Sequence, residues 1–136
     1  MLGDQIGVLT GKVTGQRILA SGEGPKVETT FEVSGEFGGV VSTLMGTYWS
    51  MVRPDGTLYG ECPQQGVLMT ADGGVGTWTA AGVGWFTGHG TAANFRGAVY
   101  LMTAPEQLAH LTRAALVYEW DVDADANAKG TFWEWK

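Results

Sequence analysis

The sequence predicts an all-β chain closed into an antiparallel up-and-down barrel of about eight strands, with one short helical connection. Three observations carry this. Apolar and polar residues alternate in short segments, as half-buried strands require. Threonine, valine and aromatics fill those segments, with glycine, at 22 residues, falling inside them rather than in linker-like runs. Compact turn signals punctuate the chain at regular intervals, leaving little room for crossover connections.

Taken in order, Ser21-Gly22-Glu23-Gly24-Pro25 separates a strand ending near Leu19 from one over about Val27 to Phe37. Arg53-Pro54-Asp55-Gly56 places Pro at the second turn position and Gly where positive φ is needed. Ala71-Asp72-Gly73-Gly74 and Gly88-His89-Gly90 repeat that punctuation. Pro105 to Leu111 is the one helical piece. An acidic loop over Asp121 to Ala128 then joins Leu116–Trp120 to Thr131–Trp135.

Turn type sets register, and register decides which side chains face inward. A type I turn with a following left-handed glycine at 53–56 pairs Val52 with Leu58, Ser50 with Gly60 and Tyr48 with Cys62. The same turn at 70–73 sets Leu68 opposite Gly76 and Gly66 opposite Trp78, a large ring covering a bare glycine. A two-residue Gly88-His89 turn pairs Phe95 with Gly82 and Val99 with Trp78. These hairpins agree on an inner face of Tyr48, Ser50, Val52, Leu58, Leu68, Trp78, Phe95, Val99 and Leu101. Phe31, Val33 and Phe37 form a similar row, as do Leu116, Tyr118 and Trp120. Trp133 and Trp135 are expected to join them, with Phe132 and Glu134 on the opposite face. Cys62-Pro63-Gln64-Gln65 reads as a bulge, because proline cannot donate to a ladder.

Composition bounds the function. A chain of 136 residues fits one domain, 1–136, whose core needs neither metal nor disulfide support. With 44% apolar residues and a net charge of −6, it is globular and offers no basic surface for nucleic acid or anionic membrane. Cys62 is the sole cysteine, so no internal disulfide marks an oxidising compartment. Asp4 stands where a signal peptide would carry a base, and no segment reaches membrane-spanning length. The expected location is cytoplasmic.

Candidate chemistry is sparse, and each candidate has a simpler structural explanation. Asp123, Asp125, Asn127 and Glu134 fall at positions one, three, five and twelve of a calcium loop. Ala128 replaces the glycine of its sharp turn and the flanks read as strands, so an acidic hairpin loop is the simpler reading and no metal is expected. Gly82 to Gly88 misses dinucleotide-loop spacing and precedes no helix. His89 and His110 are not at ligand spacing. Cys62 has no adjoining base to make it a nucleophile. Glu61 is a general base only if desolvated, and Arg96 is expected to pair with Glu61 or Glu119 on the outer surface. No catalytic residue or cofactor is therefore assigned.

Gly46-Thr47-Tyr48, the stretch from Val52 to Glu61, and Gly66 to Thr70 resemble a group of small uncharacterised prokaryotic proteins. Chain size and strand rhythm are similar to eight-stranded barrels of the lipocalin and allene-oxide-cyclase kind. That resemblance implies at most a ligand cavity, and no catalytic residue is carried over with it.

The leading functional expectation is a binding module holding a small apolar or aromatic molecule among Tyr48, Trp78, Phe95, Tyr118, Trp120 and Trp133. One alternative is a cofactor-independent isomerase or cyclase using the same cavity. The other is a non-catalytic assembly protein with a solid interior. Trp49, Met51, Tyr59 and Trp85 point outward in the expected register, and such clustering predicts a homo-oligomer through that face.

Overall fold

The computed structural model describes residues 2–88 and 90–136. Eight strands follow one another: β1 (Leu2–Leu19), β2 (Lys26–Phe37), β3 (Val40–Val52), β4 (Leu58–Thr70), β5 (Val75–Phe86), β6 (Ala93–Thr103), β7 (Ala115–Val122) and β8 (Asn127–Trp135). Each pairs antiparallel with the next, and β8 returns to β1 to close the barrel. Closure gives every strand a neighbour on both sides, with only the ends of β1, before Gly7 and after Val13, running past one of theirs.

The turns behave as their residues dictate. At the β3–β4 hairpin Gly56 adopts φ 86° and donates to Arg53 O, which reproduces the expected pairs Val52–Leu58 and Ser50–Gly60 and sets Met51 opposite Tyr59. At the β4–β5 hairpin Gly73 adopts φ 94° and donates to Thr70 O, giving Leu68–Gly76 and Gly66–Trp78. Both loops need a residue with positive φ, and glycine supplies it without a Cβ clash.

The β5–β6 connection differs from expectation. Thr87 N donates to Ala92 O, so Thr87 faces Ala92 where the two-residue turn would set it opposite residue 90. His89, on which that turn was placed, lies outside the described residues. The observed pairs are Gly84–Phe95, Gly82–Gly97, Ala80–Val99 and Trp78–Leu101. The register slides by an even number of residues, so every side chain keeps its expected face.

The stretch Cys62 to Gln65 does form a bulge. Pairing with β5 jumps from Cys62–Ala80 to Gly66–Trp78, and Gln64 adopts φ 56°. Three residues of β4 here oppose the single Thr79, an excess of two, which leaves inward and outward unchanged on either side. The Thr79 hydroxyl stands in for the interrupted ladder: it accepts from Gln64 N at 3.2 Å and donates to Cys62 O at 3.0 Å. The expected Tyr48–Cys62 pair is lost, because the β3–β4 ladder also breaks between Gly46 and Trp49.

In β8 the expected facing is reversed. The loop is only residues 123–126, closed by Asp123 N donating to Asn127 O and Ala126 N to Asp123 O. Val122 therefore pairs with Ala128, Trp120 with Gly130 and Tyr118 with Phe132. Phe132 is 5% exposed in the core, whereas Trp135 is 60% exposed and Trp133 pairs with the outward Val117. Val122–Ala128 lies one residue out of step with a symmetric 123–126 loop, with Ala126 at φ 66° in the turn, and this odd offset brings Ala128, Gly130 and Phe132 inward.

One end of the barrel is plugged. The β6–β7 connection holds a 3-10 helix, Glu106–Arg113, slightly beyond the helical piece expected from sequence. Three residues per turn bring Leu108 and Leu111 onto one side, and both are fully buried. They cover Gly38 at the β2–β3 turn, where a Cβ would meet them at 2.7 and 3.2 Å. Leu9, Val33, Phe37, Leu68 and Leu116 are fully buried with them. Among the described residues, no helix is long and apolar enough to cross a membrane.

Candidate functional site

Inward positions of six strands deliver seven aromatic rings to one region of the barrel. β2 supplies Phe31, β3 Tyr48, β5 Trp78, β6 Phe95, β7 Tyr118 and Trp120, and β8 Phe132. Phe31 is the hub, with ring centroids 4.5 Å from Trp120, 5.9 Å from Tyr48 and 6.0 Å from Trp78. Tyr48 meets Phe95 at 6.0 Å and Trp120 at 6.4 Å, both edge-to-face, the arrangement that aromatic quadrupoles favour.

Glycines make room for these rings. A Cβ on Gly66 would lie 2.1 Å from the fused bond of the Trp78 indole. A Cβ on Gly82 would lie 2.3 Å from the Tyr118 hydroxyl. Small inward residues thus decide how far each ring can cross the interior.

The rings do not fill the space they surround. Between them lies a cavity of about 60 Å³, counted as space that the centres of water molecules can reach. Val33, Leu44, Gly60, Cys62, Ala80, Ala81 and Val99 extend its apolar wall, and Glu61 also borders it. Five of the residues expected from sequence line it: Tyr48, Trp78, Phe95, Tyr118 and Trp120. Trp133 does not, for the parity reason given above, and Phe132 occupies the position expected for it. Phe31 and Cys62 also line the cavity and were not singled out as site residues. Phe31 was legible in the inward row of β2; Cys62 was obscured by the bulge beside it.

Beside Glu61, the polar side chains on this wall are few and weakly acidic. Tyr48 Oη accepts from Trp120 Nε1 at 3.3 Å. Burial pushes the Tyr48 phenol up, with the hydrogen bonds of Trp120 and Thr29 acting in opposition. Burial also raises the Tyr118 phenol, helped by nearby Tyr48 and Cys62. Burial also pushes the Cys62 thiol up to about 11, so it is a neutral thiol near pH 7. Trp78 Nε1 is buried without a hydrogen-bond partner.

The remaining candidates are occupied in structural roles. The Glu61 carboxylate accepts the Tyr59 hydroxyl on the outer surface. Arg96 pairs with Glu119 at 3.7 Å and Asp121 at 3.1 Å, not with Glu61, and lies 5.3 Å over the Trp85 ring. In the acidic loop, Asp123 Oδ1 accepts from Asp125 N and Asn127 N, and Oδ2 accepts from Asn127 Nδ2. Its oxygens are turned back into the hairpin, while Glu134 sits in β8 opposite Leu116. Among the described residues, no three His, Cys, Asp or Glu side chains are grouped to hold a metal ion.

No family model and no curated protein matches the chain. Solved structures do. A conserved protein of unknown function from Rhodopseudomonas palustris is 14% identical with a TM-score of 0.79, covering 98% of this chain and 97% of that one. A protein of unknown function from Clostridium acetobutylicum is 13% identical with a TM-score of 0.80, covering 98% of both chains. A β-barrel-like protein from Acinetobacter baumannii is 12% identical with a TM-score of 0.80, covering 100% of this chain and 96% of that one. At such identities the likeness is one of fold, the closed eight-stranded barrel.

Proposed function

We propose that this protein is a small-molecule binding module that holds a small apolar ligand inside the barrel among Tyr48, Trp78, Phe95, Tyr118, Trp120 and Phe132. The observation that carries this reading is the aromatic-walled cavity, in a barrel whose plugged end is otherwise fully packed. At about 10–15 Å³ per water by the same measure, its 60 Å³ accommodates roughly four to six water-sized groups. The ligand is therefore a molecule of a few heavy atoms, smaller than lipocalin-like architecture alone would suggest. Binding is favoured over turnover because burial moves Tyr48, Tyr118 and Cys62 away from neutrality, where a proton-transfer group needs to titrate. An isomerase or cyclase would have to act by holding a conformer alone.

The test is titration with a panel of small apolar compounds, read by intrinsic tryptophan fluorescence. At least one compound is expected to give a saturable change, and Ala80→Leu, which projects a larger side chain from the cavity wall, to weaken it at least tenfold. A panel without any saturable response would sink the reading.

A second reading concerns the outside of the same sheet. Trp49, Met51, Tyr59 and Trp85 all lie on outward positions, joined there by Val83. Trp49 and Tyr59 pack on each other at 5.7 Å and Lys26 covers Trp49, leaving these rings half-buried; Trp85 remains 41% exposed. Arg96 is neutralised by its own carboxylates, so the face suits a second copy of this chain better than a charged partner. Sedimentation velocity is expected to give a dimer that Trp85→Lys converts to monomer, and a monomeric wild type would remove this reading. The outer positions of β1 and β2 carry Lys12, Glu28, Glu32 and Glu36, which suits water rather than hydrocarbon and supports a cytoplasmic location.

A further inference from the structure

The polar side chains on the cavity wall are Tyr48, Glu61, Cys62, Trp78, Tyr118 and Trp120. Most are closed to a visiting molecule. The Glu61 carboxylate accepts the Tyr59 hydroxyl on the outer surface, and Tyr48 Oη accepts from Trp120 Nε1 while also bonded to Thr29. Trp78 Nε1 is fully occluded, and the neutral Cys62 thiol is a weak donor. Tyr118 Oη differs from all of these. Among the described residues it has no hydrogen-bond partner, yet it is not an occluded atom, so it keeps accessible surface.

Three glycines set where that hydroxyl stands. Tyr118 pairs with Gly97, Gly97 with Gly82 and Gly82 with Gly60, so a bare inward row runs from β7 across β6 and β5 to β4. The phenol follows this row: a Cβ on Gly82 would stand 2.3 Å from Oη and 3.2 Å from Cζ. The C–O bond therefore points from β7 toward β5 and β4. There the hydroxyl lies next to Ala81 along the chain and across the ladder from Gly60, and both of these line the cavity.

We infer that Tyr118 is the hydrogen-bonding residue of this cavity and that the ligand is a small neutral carbonyl compound, a ketone or ester, whose oxygen accepts from Tyr118 Oη. This deepens the binding function proposed above and rests on it. The wall selects the class. Burial keeps the phenol protonated, so it enters as a donor. A pure hydrocarbon would strip water from that donor and leave its proton without an acceptor. A carbonyl oxygen satisfies it and brings no donor of its own, whereas an alcohol or amine adds one that the wall has little to receive. No Lys, Arg or His lines the cavity and Glu61 borders it, so an anion would be buried there without a counter-charge.

The experiment uses two probes of the same shape, cyclopentanone and methylenecyclopentane, which differ only in C=O against C=CH₂. Each is titrated into the intact wild-type chain, Tyr118→Phe and Tyr48→Phe. Tyr118→Phe removes one oxygen and keeps the ring, so it is expected to weaken cyclopentanone about fivefold while changing the hydrocarbon less than twofold. Infrared spectra add a readout that a merely structural role would not move. The carbonyl stretch of cyclopentanone bound to the wild type should lie below its position in dry hydrocarbon, stay there in Tyr48→Phe, and return upward in Tyr118→Phe. The wild-type band alone serves if Tyr118→Phe does not fold. An unshifted wild-type band, equal loss of both probes, or a loss seen in Tyr48→Phe instead would overturn the Tyr118 assignment and leave the binding function standing. So would saturable binding of panel hydrocarbons without any of cyclopentanone. Saturable binding of neither probe to the wild type, together with no response to the apolar panel, would remove the binding function itself.

Discussion

At the scale of single residues, one contact governs the site: the Trp78 indole laid against Gly66. A methyl group at Gly66 would overlap ring carbons at 2.1 Å, and the ring has Phe31 on its other flank. Gly66→Ala is therefore expected to cost about 3 kcal/mol, at the upper end of ordinary overpacking, as a lower midpoint in urea unfolding. Cys62 gives a second residue-level prediction. Burial holds its folded thiol at about 11, above the ordinary 9.0, so the neutral form is favoured by folding. The stability this contributes is whole below pH 9 and is lost as pH rises from about 9 through about 11, because the unfolded thiol ionises first. Unfolding midpoints measured across that window should fall, and should fall less in Cys62→Ala. The Gly66–Trp78 pairing was readable from the sequence, because a four-residue turn with glycine last counts the register outward unambiguously. That Trp78 would keep an unpartnered N–H was not readable, since it depends on which acceptors other strands bring near.

At the scale of elements, the β4 bulge and the 3-10 plug do the most to shape the interior. Thr79 donates to Cys62 O and accepts from Gln64 N across the bulge, so Thr79→Val leaves two backbone groups without their partner. The expected cost is about 1–2 kcal/mol, with Thr79→Ser retaining most of the stability; chemical denaturation of both variants checks it. Leu108→Ala removes a fully buried side chain from the plug and is expected to cost about 2–5 kcal/mol. Amide hydrogen exchange should locate the loss at the plugged end, in the 105–114 connection and the β2–β3 turn. The sequence announced the bulge through Pro63 in a strand and the helical piece over Pro105 to Leu111, though not that its leucines close the barrel end. It did not announce the size of the bulge. One extra residue would have inverted half of β4; two preserve its facing, and the Thr79 hydroxyl that accommodates them lies on another strand.

At the scale of the whole molecule, the turns act together. Asp55, Asp72 and Asp123 sit in three different hairpins, each with its carboxylate held below the ordinary 3.8, chiefly by the side chain of Thr57, Thr70 or Asn127 respectively. A depressed folded pKa means stability present above the unfolded value and lost as pH falls through the folded one. The barrel is therefore expected to weaken below about pH 3.8 in acid titrations followed by circular dichroism, with a shallower decline in Asp123→Asn. Architecture was legible at this scale because alternation and turn chemistry are local properties, readable one hairpin at a time, and closure follows when every strand pairs with the next. Tyr48, Trp78, Phe95, Tyr118 and Trp120 followed from the same parity count. Alternation within its own strand, without a turn count, places Trp133 inward; the pairing Val122–Ala128, one residue out of step with a symmetric 123–126 loop, puts Phe132 there instead. By itself, then, the sequence determined the strands, most of their facing and the aromatic character of the interior. Only the tertiary structure decided that Phe31 sits at the centre, that about 60 Å³ remains between the rings, and that the Trp78 indole N–H is buried without a hydrogen-bond partner. Those properties arise where side chains from seven strands converge, and no local pattern along one strand encodes the gap they leave.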